Sequence, residues 1–247
     1  MGGFNRRDFL RASALAVGSI VVSSGLQGCL SSSSSSSDDE AVRGLAFEHG
    51  VASGDPLSDR VLLWTRITPT DGNNAEVQIG WEIATDSAFT DLVHSGTAST
   101  NAARDFTLKV DAQDLLPGTS YYFRFKVAGL TSPVGRCKTL PAGSIDQVRF
   151  AVLSCSNYPA GLFHVYAAAA AEAELDAVLH LGDYIYEYGN GGYATEDAAA
   201  LGRLLPDDNA SEILSLDDYR KRYALYRTDA DLQLLHASAP FIAVWDD

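Results

Sequence analysis

The sequence has 247 residues, 46% of them apolar, and a formal net charge of −14 at neutral pH. That length suits one or two globular domains. So acidic a chain lacks the basic face that a nucleic-acid binder normally presents, and nucleic-acid binding is not expected. A phosphate-bearing ligand would need a local source of positive potential, such as a bound metal ion.

The chain begins with Asn5-Arg6-Arg7-Asp8-Phe9-Leu10 and a weakly apolar stretch from Ala12 to Leu26, the pattern of a twin-arginine export signal. The stretch is about 15 residues long and carries Ser and Gly, too short and too mild for a spanning helix. An N-terminal anchor helix is the alternative. Leu26-Gln27-Gly28-Cys29 resembles a lipobox, in which Cys29 is acylated and becomes the mature N terminus. Gln27 is not the usual small residue, so a plain cleaved signal stays open. Residues 1–29 are therefore read as the signal and 30–43, a serine run ending in Asp38-Asp39-Glu40, as a solvated linker. The expectation is an exported protein of the periplasm or cell envelope. Its partners would be the twin-arginine machinery and, through a lipid on Cys29, the membrane.

Residues 44–140 read as strands. Val77, Ile79, Trp81 and Ile83 alternate with polar or small residues, as do Phe106, Leu108 and Val110, and Tyr121, Phe123, Phe125 and Val127. Period two with β-branched and aromatic side chains means half-buried strands, and Asp71-Gly72 and Pro117-Gly118 punctuate them as turns. The spacing predicts an antiparallel β-sandwich of the immunoglobulin or fibronectin kind, and the corner from Leu116 to Tyr121 resembles that of fibronectin type III modules. His49, Asp55 and His94 are read as loop or surface residues.

After Pro141-Ala142-Gly143 the pattern changes. Val148 to Leu153 and Ala177 to Leu181 read as buried strands around an Ala-rich helix from Leu162 to Leu175, a βαβ unit with parallel strands. Gly189 to Asn209 reads as a long loop. Ser215 is placed as the N-cap of a helix carrying Tyr219, Tyr223 and Tyr226 as a packing stripe. Asp231 to Ala237 follows as a short helix, and Phe241 to Trp245 as a third buried strand.

Each of the three strands ends in potential ligands: Cys155, Asp183 and the pair Asp246-Asp247. Open α/β sheets bind ligands at the carboxyl ends of their strands. Tyr186 stands three residues after Asp183, and a phenol of ordinary pKa near 10 must lose its proton to coordinate, which a strongly Lewis-acidic ion such as Fe³⁺ can bring about. Cys137 and Cys155 could instead pair as a structural disulfide. His180 and His164 are read as bland, His180 as a satisfied core residue.

His180-Leu181-Gly182-Asp183-Tyr184-Ile185-Tyr186-Glu187, Ser154-Cys155, Asp217-Asp218-Tyr219-Arg220 and Val244-Trp245-Asp246-Asp247 together resemble the alkaline phosphatase D family of calcineurin-like metallophosphoesterases. The resemblance implies that residues 146–247 are the first part of an α/β (αββα) metallophosphoesterase domain, truncated at its end. It implies Fe³⁺ and Ca²⁺ as cofactors, with Cys155 as a thiolate on iron, Asp183 bridging iron and calcium, Tyr186 as a phenolate on iron, and Asp247 as a further metal ligand. Asp183 and Asp247 would be the catalytic carboxylates. In the family the run Trp-Asp-Asp continues into His-Glu, so the residues present are expected to be about half of a site, and the 247 residues alone to be inactive or nearly so. The expected function is an exported hydrolase of phosphomonoesters or phosphodiesters, of alkaline phosphatase, phosphodiesterase or phospholipase D type. The alternative is a surface-anchored β-sandwich binding protein with a degenerate phosphatase remnant.

Overall fold

The computed structural model describes residues 44–245. The signal, the linker, Cys29, Asp246 and Asp247 lie outside the described residues. Among those described, no helix is long and apolar enough to cross a membrane.

Alternation builds the first layer. The strands are β1 (Leu45–Ala46), β2 (Val51–Gly54), β3 (Val61–Arg66), β4 (Thr68–Pro69), β5 (Val77–Ala84), β6 (Leu92–Thr100), β7 (Thr107–Ala112), β8 (Ser120–Val127), β9 (Leu130–Thr131) and β10 (Gly135–Lys138). They form a three-stranded sheet β2-β3-β7, a five-stranded sheet in the order β10-β8-β5-β6 with β9 on β8, and a small ribbon β1-β4. All of these pairings are antiparallel. Val51, Leu63 and Val110 from one sheet share a core with Ile79, Ile83, Phe123 and Phe125 from the other, so the two sheets pack face to face. Burial strictly alternates along β8, where Tyr121, Phe123, Phe125 and Val127 point inward. The corner before it is closed by a hydrogen bond from the Leu116 N–H to the Tyr121 hydroxyl at 2.8 Å, a tyrosine corner.

His49 departs from expectation. It is 3% exposed and lies against the side chains of Arg66 and Thr68, which reach it from β3 and β4. Asp55 is exposed, and His94 sits half-exposed on β6.

The second layer is β11 (Phe150–Leu153), α1 (His164–Ala170), β12 (Ala177–His180), α2 (Ala198–Leu201), α3 (Leu216–Tyr226), α4 (Ala230–Ser238) and β13 (Phe241–Ala243). The strands form one sheet in the order β11-β12-β13, with both pairings parallel. Helix α1 is shorter than the apolar pattern predicts: it ends at Ala170, and beyond it Glu174 takes a left-handed backbone. Helix α3 starts where expected: Ser215 accepts from the Asp218 N–H, and the Asp218 carboxylate accepts from the Ser215 N–H, a complete capping box.

The expectation of three buried strands needs correction. Ala151, Leu153, Val178 and Phe241 pack on a core with Leu232, Leu235 and Tyr226 of the helices. Phe150, Val152 and Ile242 are on the other face and exposed. An apolar run reads as buried on both faces, but among the described residues helices cover one face only.

The layers are joined into one unit. Arg136 of β10 donates to the carbonyls of Leu175 and Ser238, Lys138 pairs with Asp176, and the buried Arg227 donates to the His49 carbonyl at 3.0 Å.

Candidate functional site

The turns after β11 and β12 are laced together through the backbone. The Leu181 N–H donates to the Leu153 carbonyl at 2.8 Å, the Cys155 N–H to the Gly182 carbonyl at 3.1 Å, and the Ser156 N–H to the Asp183 carbonyl at 2.8 Å. To make these bonds the chain bends sharply: Cys155 has φ 63° and Asp183 φ 50°, both left-handed, while Gly182 takes φ 121°, open only to glycine at low cost. Left-handed backbone at non-glycine residues costs on the order of 1 kcal/mol and clusters at functional sites.

The bends bring three predicted donors together. The Tyr186 hydroxyl donates to Asp183 Oδ2 at 2.8 Å. Burial raises the phenol pKa, and the Asp183 carboxylate and Cys155 sulfur beside the hydroxyl raise it further. Three anion-forming groups thus converge around one proton. Among the described residues no three His, Cys, Asp or Glu side chains group closely enough to hold a metal by themselves. The third donor here is a tyrosine. The set of soft thiolate, hard carboxylate and phenolate fits iron better than an all-oxygen calcium site, and a cation that replaced the shared proton would relieve the crowding that raises the phenol pKa.

Cys155 and Cys137 do not pair. Cys155 is exposed at its strand end, whereas Cys137 is a free thiol inside the sandwich core, pushed up to about 12 by burial.

Several residues that support the site were missed or underread in the sequence. Beneath the turns, His180 Nε2 lies 3.0 Å from Ser156 Oγ and 3.2 Å from the Tyr166 hydroxyl, and Ser156 and Tyr166 also bond each other. Burial lowers the His180 pKa and pushes Tyr166 up to about 12, so both are neutral at ordinary pH. The Tyr226 hydroxyl accepts from the N–H of Tyr158 at 3.0 Å and from that of Tyr186 at 3.4 Å, tying the two turns to one helix. One turn earlier in α3, Arg222 donates to the carbonyls of Tyr186, Tyr188, Asn209 and Ser211 and to Asn209 Oδ1. His164 is bland as expected, exposed and 3.0 Å from Asp231.

A cleft of about 1250 Å³ runs between β2, β3 and α3, lined by Trp64, Arg66, Tyr219, Tyr223 and Trp245 among others. It contains none of Cys155, Asp183 and Tyr186. The cleft is the seam between the two layers, apart from the three clustered donors.

Comparison with known proteins gives the chain a family. Residues 31–141 match the family model of the PhoD-like phosphatase N-terminal domain, and residues 150–247 match that of the PhoD-like phosphatase. Alkaline phosphatase D of Bacillus subtilis (strain 168) is 43% identical over 208 residues, covering 81% of this chain and 35% of its own length. A solved structure described as that of PhoD is 42% identical, with a TM-score of 0.74, covering 81% of this chain and 39% of the solved one. The chain therefore spans little more than a third of the length of these relatives. On two consecutive domain matches and this level of identity, it belongs to the PhoD-like phosphatase family.

Proposed function

We propose that this chain carries the first metal-ligating residues of an exported, metal-dependent phosphoester hydrolase acting on phosphomonoesters or phosphodiesters. The observation that supports it most is the convergence of Cys155, Asp183 and Tyr186 at the ends of adjacent parallel strands, on two left-handed turns bonded to each other. In this reading the parallel layer is the start of a calcineurin-like αββα domain. Asp247, outside the described residues, adds a fourth ligand.

Fe³⁺ and Ca²⁺ bound there would polarise phosphoryl oxygens and acidify a water molecule near neutral pH. The chain's own residues have separate tasks. Cys155 supplies a thiolate from an exposed turn. Asp183 supplies a carboxylate whose Oδ2 accepts the hydrogen bond of the Tyr186 hydroxyl. Tyr186 gives up its proton to become a donor. The laced turns and the Tyr226 hydroxyl hold these atoms in place, so little reorganisation is left for the reaction. Four protein donors leave a multi-metal centre under-coordinated, so residues 1–247 alone are expected to hydrolyse esters poorly. Twin-arginine export and acylation of Cys29 belong to the same proposal.

The test uses the full natural protein loaded with iron and calcium. It should hydrolyse bis-p-nitrophenyl phosphate and show a visible phenolate-to-iron band that Tyr186→Phe abolishes. Stoichiometric iron with an unchanged band in Tyr186→Phe would remove Tyr186 as a ligand. No hydrolysis by the loaded protein would refute the enzyme and favour the anchored binding protein.

A further inference from the structure

Tyr186 is one of three clustered tyrosines. Its ring centroid lies 6.4 Å from that of Tyr188 and 5.9 Å from that of Tyr193, and the latter two are 6.0 Å apart. Even after packing on one another, Tyr188 is 49% and Tyr193 62% exposed among the described residues. These rings therefore add little to the core, yet the segment that carries them is firmly built. The Tyr188 carbonyl accepts from Arg222 at 2.9 Å, and the Tyr193 carbonyl from Asn157 Nδ2 at 3.2 Å. Asn190 exchanges two hydrogen bonds with the backbone of Leu205, and Thr195 Oγ1 accepts from the Gly191 N–H and donates to the Gly192 carbonyl. A Cβ on Gly192 would sit 2.9 Å from the Tyr188 Cβ, so only glycine lets the segment fold back this closely. Exposed aromatic rings on a pinned loop, beside a candidate ligand cluster, offer faces on which another ring can stack.

We propose that Tyr188 and Tyr193, continuing from Tyr186, form a binding surface for an uncharged aromatic ring esterified to the phosphate. The inference rests on reading Cys155, Asp183 and Tyr186 as the phosphate-ester site. A phosphate held beside Tyr186 places its organic substituent one ring away from Tyr188 and Tyr193. Charge narrows the substituent. From Asp183 to Ile213 the chain carries seven carboxylates and one cation, Arg203, which is already paired with Asp229, while Lys221 and Arg222, which reach this segment from α3, are engaged by Asp208 and Asp217 and by the segment's own carbonyls. A substituent bearing further phosphates would be repelled, whereas a neutral ring gains stacking without a charge penalty.

The test is calorimetric binding of phenylphosphonate and methylphosphonate to the metal-loaded natural protein. The wild type should bind the phenyl compound about two- to tenfold more tightly, the range expected for one aromatic contact. In the double variant Tyr188→Ala/Tyr193→Ala the preference should vanish, and in Tyr188→Phe/Tyr193→Phe it should persist, since the rings remain. Because both side chains are exposed, circular dichroism should show both variants folded. An equal preference in wild type and the alanine variant overturns the surface, as does a wild type with no preference or no binding. Turnover of bis-p-nitrophenyl phosphate judges the enzyme separately. Ring-selective binding without turnover keeps the surface and loses the hydrolase, and turnover without selectivity does the reverse.

Discussion

Replacing Arg222 with methionine should be among the most damaging single changes in the second layer. The side chain is 1% exposed and makes five hydrogen bonds, at 2.8 Å to Asn209 Oδ1, 2.6 Å and 2.9 Å to the carbonyls of Tyr186 and Tyr188, and 2.9 Å and 3.2 Å to those of Asn209 and Ser211. Burial lowers its pKa, though a guanidinium stays charged. Hydrogen bonds to a charged group contribute about 1.5–3 kcal/mol each. Against them stands the desolvation of the buried cation, several kcal/mol. Methionine removes both terms but leaves carbonyls without donors, at roughly 1–3 kcal/mol for each one that water cannot reach. If the lost bonds and the relieved desolvation roughly cancel, one or two carbonyls that stay dry leave a net loss of about 1–6 kcal/mol. Arg222→Lys should cost less, about 2 kcal/mol, because an ammonium offers three donors and cannot span the fork. Urea unfolding of the native protein gives the stability change. Hydrogen exchange of the amides between Tyr186 and Ser211 reports whether the loss is local. An Arg222→Met protein within about 0.5 kcal/mol of wild type, with unchanged exchange, would refute the view that this side chain organises the loop.

Two further outcomes are expected. Burial, and next the Arg66 guanidinium, lower the His49 pKa to about 4, so the folded protein keeps it neutral while the unfolded chain takes up a proton below pH ~6.5. Stability should therefore fall as pH drops from about 6.5 towards 4, by up to about 3 kcal/mol from this group. His236, buried and also lowered, adds a slope of the same sign. The readout is thus the difference in melting temperature between wild type and His49→Gln across that range, and parallel profiles would rule out the assignment. Iodoacetamide should alkylate the exposed Cys155 of metal-free native protein and spare Cys137, which burial pushes up to about 12, until the chain unfolds. Equal labelling of the two peptides in mass spectra would contradict the buried placement of Cys137.

The sandwich strands could be read from the sequence because period-two alternation survives wherever one face is wet, as along β8 and β3. The N-cap at Ser215 was equally legible, because a capping box is local in sequence. Convergence of Cys155, Asp183 and Tyr186 followed from strand-end placement, since neighbouring parallel strands deliver their turns to one edge. The losses came from long-range partners. His49 looked like a loop residue because Arg66 and Thr68, which bury it, lie 17 and 19 residues away. Arg222, within Asp-Asp-Tyr-Arg-Lys-Arg-Tyr, resembles any solvated stretch of helix. The one available hint was its spacing of four from Tyr226, which puts both on the same buried face. Nothing in the apolar runs at Phe150 and Phe241 distinguishes one covered face from two.

A single hydroxyl joins two turns that come from different strands. The Tyr226 oxygen accepts from both Tyr158 and Tyr186, so the docking of α3 against the sheet and the relative placement of the two turns are coupled. A substitution that shifts α3 would reach both turns at once, and Tyr226→Phe would leave two backbone donors without this partner.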